Sequence, residues 1–230
     1  MTGVLVIALG KSTRVVDMLL KAGKEYVCLM RLHTDVDQET VRKTIATFVG
    51  RIIQMVPKRA AVKRQLRERE IYYLDVLEID GRDVLFRVGC QAGTYIRKLA
   101  SDLGQALGTV AHMQELVRTK VAQFTDRDWV TLHDLKDAYE EWKETGDESL
   151  LRRCIFPIER AVDHLSKIWV VDSAVDSLCH GALLSLPGVA KADAAITPGE
   201  TVALLTLKDE LIGIGKARMD ASQMGAGERG

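Results

Sequence analysis

Aromatic side chains are scarce in this 230-residue chain, at 5% of its residues, and proline occurs only four times. The cysteines form no C-x-x-C pair and are irregularly spaced: Cys28, Cys90, Cys154 and Cys179. Zinc sites and disulfide frameworks depend on regular cysteine spacing, so the pattern favours reduced, buried thiols in an intracellular protein.

An excess of charge of one sign is also lacking, since 32 lysines and arginines face 32 aspartates and glutamates. Overall charge therefore gives no indication of nucleic-acid binding, which would have to come from a local cluster. The longest apolar run, residues 3–9, is too short to span a bilayer and lacks the flanks of a signal peptide. We expect a cytoplasmic protein without a membrane partner.

Hydrophobic periodicity and turn signals predict an α+β chain. The strongest hairpin signal is Asp80-Gly81 between two alternating runs. Asp37 is predicted to cap a helix that ends at Gly50. The remaining predicted elements are strands at 3–9, 26–32 and near 115–124, and helices at 13–21, 94–107 and after Thr131.

Composition changes near residues 157–167, after which short strands dominate. We therefore predict a first domain over residues 1–160, a small all-β module over 161–220, and a frayed tail over 221–230.

No G-x-G-x-x-G, P-loop, H-E-x-x-H or G-x-S-x-G motif is present, and no two histidines have metal-ligand spacing along the chain. His112 and His180 are interpreted as structural or surface residues.

A basic cluster stands out in this neutral chain, with six cations in twelve residues and one acid, Glu68. Its members are Lys58, Arg59, Lys63, Arg64, Arg67 and Arg69. Phosphate contacts are a natural use of such a cluster, and a solvated face is the alternative.

Arg97 follows a glycine at a predicted strand-to-helix junction, off the apolar stripe of its helix. Residues at such junctions typically point into a cleft, where an arginine can pair with a carboxylate or a phosphate. A solvated arginine is the alternative.

The segments GTYIRKLASDLGQALG (93–108) and AHMQELVRT (111–119) resemble the TruB/dyskerin pseudouridine synthases, and the similarity continues in order through nearly the whole chain. VDSAVDSLCHGALLSLPGV resembles the family's PUA domain. The absence of a long insertion before the hairpin is typical of the archaeal, RNA-guided H/ACA form. The resemblance implies a mixed, largely antiparallel sheet with flanking helices, followed by a small β-rich PUA-like domain.

The resemblance also implies an activity. The family isomerises uridine to pseudouridine in tRNA or rRNA, after the nucleotide is flipped out of its RNA context, without cofactor or metal. The implied partners are substrate RNA, an H/ACA guide RNA and small accessory proteins of the ribonucleoprotein.

Individual residues match the family's site residues. Tyr26 matches the tyrosine that stacks on the flipped base, Arg97 the arginine that pairs with the nucleophilic aspartate, and Leu116 a leucine beneath the nucleotide. Lys63 matches a motif lysine near the site. In the PUA-like module, Gly181, Ala182 and Gly188 match a turn that grips the guide RNA, although the glycines are equally typical of an ordinary turn.

Departures from the family pattern lead to a further expectation. The family's aspartate belongs to a Gly-Thr-Leu-Asp-Pro stretch that ends just before the position of Thr2, and Arg97 would lack its carboxylate. We expect the 230-residue chain to form no pseudouridine. A start-codon artefact, a non-catalytic RNA-binding paralogue and a ribonucleoprotein scaffold remain three alternatives. The PUA-like module is also expected to be incomplete at its end.

Overall fold

The computed structural model describes residues 2–57 and 62–224 and divides into two compact units, residues 1–131 and 132–230. Neither described part contains a helix with the length and apolar character needed to cross a bilayer.

The first unit is built on one sheet. Its strands are β1 (Thr2–Gly3), β2 (Lys24–Leu32), β3 (Gly50–Met55), β4 (Leu66–Asp80), β5 (Asp83–Cys90), β6 (Ala111–Val121) and β7 (Phe124–Thr125). Its α-helices are α1 (Val16–Lys21), α2 (Gln38–Ala46) and α3 (Ile96–Ala106).

The strand order is β1-β6-β2-β5-β4-β3, with β7 also paired to β6. β1 runs parallel to β6, and the other pairs are antiparallel. β4 and β5 form the predicted hairpin around Asp80-Gly81, with Asp80 opposite Asp83. The predicted mixed, largely antiparallel sheet with flanking helices is confirmed.

Two helices cover one face of this sheet. The Asp37 side chain accepts a hydrogen bond from the Thr40 amide, as predicted for a helix cap, and α2 begins at the next residue. Helices α2 and α3 contribute Val41, Ile45, Leu99 and Leu103 to the core. The core therefore lies between these helices and one face of β2, β4, β5 and β6.

The second unit combines helices with a four-stranded sheet of order β11-β10-β8-β9. Its elements are α4 (Leu132–Thr145), α5 (Ser149–Cys154), β8 (Ser166–Val170), α6 (Asp172–Cys179), β9 (Val189–Ala192), β10 (Thr201–Leu205) and β11 (Leu211–Lys216). The prediction of an all-β module is wrong, because α6 packs Ala174, Val175 and Leu178 against the core of this sheet.

The predicted strand at 3–9 is also wrong beyond Gly3. Residues 4–9 form no strand, and Leu5, Ile7 and Leu9 are exposed. An apolar β-branched run becomes a strand only where another backbone is available to pair with it. The helix predicted over 13–21 is a 3₁₀-helix, Gly10–Val15, that continues into α1.

All four cysteines are free. Cys28 and Cys90 are buried, as predicted, and burial raises the pKa of their thiols to about 12 and about 11. Cys179 is exposed, which contradicts the prediction that all the thiols are buried.

Candidate active site

Tyr26 and Leu116 lie on neighbouring strands and on the same face of the sheet. Tyr26 is paired with Arg118, and Cys28, two residues further along β2, is paired with Leu116. Successive side chains of a strand point to opposite faces, so these four side chains share the face that the helices cover. Leu116 is buried and Tyr26 is half-buried against the core.

The chemical state of Tyr26 follows from its surroundings. Burial raises the pKa of the Tyr26 hydroxyl, nearby Cys90 adds to this rise, and the guanidinium of Arg118 opposes it. The hydroxyl is therefore protonated at neutral pH. Arg118 is fixed by its Nε, which donates a hydrogen bond of 2.6 Å to the backbone oxygen of Val4.

Arg97 lies in the first turn of α3, and this helix contacts β2, β3 and β6. Its neighbour Ile96 is buried in the core, whereas Arg97 is exposed and forms no hydrogen bond or ion pair with any described residue. An exposed guanidinium at a helix start, above a face that carries an aromatic ring, can receive a carboxylate or a phosphate.

Sequence reasoning missed the residue that fixes the start of α3. Gln54 of β3 is 1% exposed, and its side chain bonds the backbone of Tyr95 twice. The Tyr95 amide donates to Gln54 Oε1 over 3.0 Å, and Gln54 Nε2 donates to the Tyr95 oxygen over 3.3 Å. Tyr95 is the N-cap residue of α3 and has no side-chain cap of its own. No local pattern predicts this contact, which joins residues 41 positions apart.

The basic cluster is divided by the structure. Lys63 and Arg64 are exposed before β4, whereas Arg67 and Arg69 lie on β4 and are half-buried. Lys58 and Arg59 lie outside the described residues.

The Nε atoms of Arg67 and Arg69 are buried without a hydrogen-bond partner among the described residues. The guanidinium of Arg69 lies beside Gly93, where an added Cβ would be 3.1 Å from Nη2. Arg69 thus stands close to the loop that leads into α3, and both arginines have hydrogen-bonding capacity left over.

In the second unit, the three predicted RNA-binding positions follow α6. Gly181 adopts a positive φ of 88°, and the amides of Gly181 and Ala182 bond back to the last turn of the helix. Gly188 is buried, and an added Cβ would be 2.9 Å from Leu184 Cδ1 and 3.2 Å from Ala174 Cβ. The backbone conformation at Gly181 and the close packing at Gly188 therefore explain why glycine occupies both positions. A role of these residues in RNA binding stays a prediction.

Two histidines that are far apart in sequence meet at one end of the first sheet. His33 Nε2 and His112 Nδ1 are 3.0 Å apart, and both residues are exposed. Within the described residues, no three His, Cys, Asp or Glu side chains are grouped so that they could hold a metal ion.

The opposite face of the sheet carries a hydrogen-bonded group directly behind Tyr26. The Glu25 carboxylate accepts a hydrogen bond from the Tyr73 hydroxyl and one from the Thr119 hydroxyl, each 2.6 Å long. Burial favours a higher pKa for Glu25, but the two hydroxyls and the neighbouring Arg87 and Lys120 outweigh it, so the pKa is lowered. No sequence pattern predicted this group either, since its three residues lie on three different strands.

Three family models match consecutive parts of the chain. They are the TruB family pseudouridylate synthase N-terminal domain over residues 1–96, the tRNA pseudouridylate synthase B C-terminal domain over 97–163, and the PUA domain over 166–230. Together they account for nearly the whole sequence.

Curated relatives are similar over the full chain. A probable tRNA pseudouridine synthase B from Methanothermobacter thermautotrophicus is 54% identical over 229 residues, which cover 100% of this chain and 71% of the relative. The protein of the same name from Methanopyrus kandleri is 53% identical, with 100% of this chain and 68% of the relative covered.

Solved structures agree with this similarity. A chain from a Cbf5-Nop10-Gar1 complex matches with a TM-score of 0.92 and 54% identity, covering 99% of this chain and 70% of that chain. A chain from an H/ACA ribonucleoprotein bound to substrate RNA containing 2′-deoxyuridine matches with a TM-score of 0.87 and 51% identity, covering 97% and 68%. The chain belongs to the TruB family of pseudouridine synthases, which are isomerases, and carries that family's PUA domain.

Proposed function

We propose that the face shared by Tyr26, Leu116 and the start of α3 receives a flipped uridine of a substrate RNA. The supporting observation is that Tyr26 on β2 and Leu116 on β6 are diagonal neighbours on one face of the sheet, while α3, which carries Arg97, packs on the same face. The Tyr26 ring and Leu116 offer apolar surface to the base, which offsets part of the cost of unstacking it.

Arg97 is proposed to bind the anion that the reaction needs next to the base. Its guanidinium is exposed and without a partner among the described residues. In the family this anion is the nucleophilic aspartate, which attacks the target nucleotide while the glycosidic bond breaks. Pairing with Arg97 would hold that carboxylate ionised and oriented for attack.

We propose that the polypeptide of residues 1–230, tested alone, forms no pseudouridine. Glu25, the carboxylate next to Tyr26 in sequence, points to the opposite face and is held there by two hydroxyls. Asp17 lies on α1. No carboxylate among the described residues is paired with Arg97.

The test compares residues 1–230 with the same polypeptide preceded by Gly-Thr-Leu-Asp-Pro, with pseudouridine measured in a uridine-containing RNA. We expect product only with the added loop. Product from residues 1–230 alone would contradict the proposed inactivity, and RNA binding without product from either form would favour the non-catalytic RNA-binding alternative.

The basic cluster is proposed to contact RNA phosphates beside this face. Removing one arginine–phosphate contact reduces the magnitude of the slope of log affinity against log salt by about one unit. We expect Arg69→Gln to reduce the slope in this way, whereas Arg82→Gln serves as a control because Asp35 already pairs with Arg82. An unchanged slope in Arg69→Gln would remove Arg69 from the interface.

An H/ACA guide RNA and accessory proteins are the proposed partners, as in the complexes that contain the similar chains. The test adds guide RNA to the loop-containing protein. We expect conversion of a uridine that the guide selects, and conversion independent of the guide would favour a stand-alone enzyme.

A further inference from the structure

We propose that Tyr73, Glu25 and Thr119 form a brace that positions Tyr26 from the far face of the sheet. The proposal rests on the proposed role of Tyr26 in uridine binding. The brace residues touch neither the base nor the reacting atoms, and so they act as positioning residues.

The brace crosses four adjacent strands. Tyr73 belongs to β4, Glu25 to β2 and Thr119 to β6, while β5 runs between β4 and β2. Tyr73 reaches over β5 because residue 89 is a glycine. A Cβ at Gly89 would lie 2.3 Å from Cε1 and Cζ of the Tyr73 ring, so any side chain there would occupy the place of the ring.

The brace lies where the strand pairing changes register. On one side, Glu25 pairs with Lys120 and Tyr26 pairs with Arg118, so the ladder skips Thr119. A skipped residue is a β-bulge, which bends a strand and re-aims the side chains beside it. The Thr119 hydroxyl, from the skipped position itself, donates to Glu25.

A second irregularity lies between β4 and β5, on the other side of Glu25. Ile71 pairs with Cys90 and Tyr73 pairs with Gly89, so Tyr72 is skipped. Glu25 is paired with Gly89, and the two skipped positions therefore flank this one pair. Thr119, which is one of the skipped residues, and Tyr73, which follows the other, both donate a hydrogen bond to Glu25.

Tyr26 immediately follows Glu25, so its direction depends on this irregular point. A slip of one residue in the pairing moves side chains to the opposite face. By holding Glu25 and Thr119 together, the brace keeps Tyr26 opposite Arg118. Leu116, two residues before Arg118 on β6, then stays on the same face as Tyr26. If the brace only stabilised the fold, its loss would lower binding and turnover together, in proportion to the fraction of protein that stays folded.

The experiment uses the full chain preceded by the Gly-Thr-Leu-Asp-Pro loop. Thr119→Val and Tyr73→Phe each remove one hydroxyl of the brace, Thr119→Ser keeps it, and Tyr72→Phe is the matched control. The Tyr72 hydroxyl makes no hydrogen bond with any described residue. For each protein, kcat, the Kd for RNA and the midpoint of thermal unfolding are measured.

We expect Thr119→Val and Tyr73→Phe to lower kcat by about 10- to 100-fold, which is the size of effect that a small misplacement produces. The Kd for RNA should stay within about twofold of the parent value. Thr119→Ser should retain most of the parent kcat, and Tyr72→Phe should resemble the parent. Normal kcat in Thr119→Val and Tyr73→Phe, or a loss that follows the folded fraction, would overturn the brace as a positioning device.

A second measurement keeps the two proposals separable. Tyrosine ring signals are followed by NMR with labelled tyrosine, and the Tyr26 signal is assigned by its loss in Tyr26→Phe. If the parent protein makes no pseudouridine, the proposed function fails, and the brace is judged by this signal. A Tyr26 signal that moves in Thr119→Val but not in Tyr72→Phe supports the brace, and a signal that stays in place in both overturns it.

Discussion

Gln54 holds the backbone of Tyr95 at both its amide and its carbonyl, from a position that is almost completely buried. Tyr95 is the last residue before α3, and Arg97 follows two residues later. One side chain of β3 therefore fixes the start of the helix that carries the proposed anion-binding residue.

Replacing Gln54 by Leu should destabilise the first unit, because the Tyr95 amide and carbonyl would lose their partners in a buried place. We expect a loss of about 1–3 kcal/mol in the free energy of unfolding, measured in urea. Gln114→Leu, an exposed change on β6, should stay within about 0.5 kcal/mol of the parent. Equal stability of Gln54→Leu and the parent would show that water replaces the lost bonds.

Gly89→Ala tests the close approach of Tyr73 to β5. The new methyl group would occupy the place of the Tyr73 ring, so the ring must move and release Glu25. We expect a loss of about 1–3 kcal/mol in unfolding free energy, as overpacking typically costs. Gly213→Ala is a control, since among the described residues no heavy atom beyond its chain neighbours lies within 4 Å of its added Cβ.

Gly89→Ala can also be tested in a variant that lacks the Tyr73 ring. In Tyr73→Ala, the three atoms nearest to the added methyl group are gone, so Gly89→Ala should then cost less than about 0.5 kcal/mol. A cost that is equal in both backgrounds would mean that the strain arises elsewhere.

Glu25 should make the stability of the first unit depend on pH in the acid range. Its pKa lies below the ordinary value of 4.5 because two hydroxyls bond its carboxylate. A carboxyl with a lowered pKa in the folded state stabilises the fold above its ordinary pKa, and this stabilisation is lost as pH falls through the lowered value.

The measurement is the free energy of unfolding in urea between pH 7 and pH 3. Glu25→Gln should be less stable than the parent at pH 7, and the difference should shrink as pH falls below 4.5. Glu115→Gln, at an exposed position on β6, should follow the parent throughout. A difference that is constant with pH would assign the effect to packing and not to the charge.

Tyr26→Leu and Arg97→Ala should each abolish most pseudouridine formation in the loop-containing protein. We expect a fall of about 100-fold in kcat for Tyr26→Leu, because the ring that positions the base is lost and a small misplacement has an effect of this size. Arg127→Ala replaces an exposed arginine of the first unit and should retain near-normal kcat. Near-normal rates in either site variant would overturn its assigned role.

Local signals predicted the elements whose geometry is set within a few residues. The Asp80-Gly81 hairpin and the Asp37 cap were predicted because turn and cap geometry depend on adjacent side chains. The strand expected at 3–9 failed because strand formation needs a partner, and α6 was missed because short apolar runs fit a helix as well as a strand.

The family, the order of the main elements and the candidate residues Tyr26, Arg97 and Leu116 could be predicted without coordinates, because periodicity and motif order are local properties of a chain. The bonds between Gln54 and Tyr95 could not be predicted in this way, and neither could those of Glu25 with Tyr73 and Thr119, which are 48 and 94 residues away from it. These contacts depend on which strands become neighbours and on where their pairing skips a residue. Neither property is encoded in any short stretch of sequence, since strand register is set by the packing of the whole sheet.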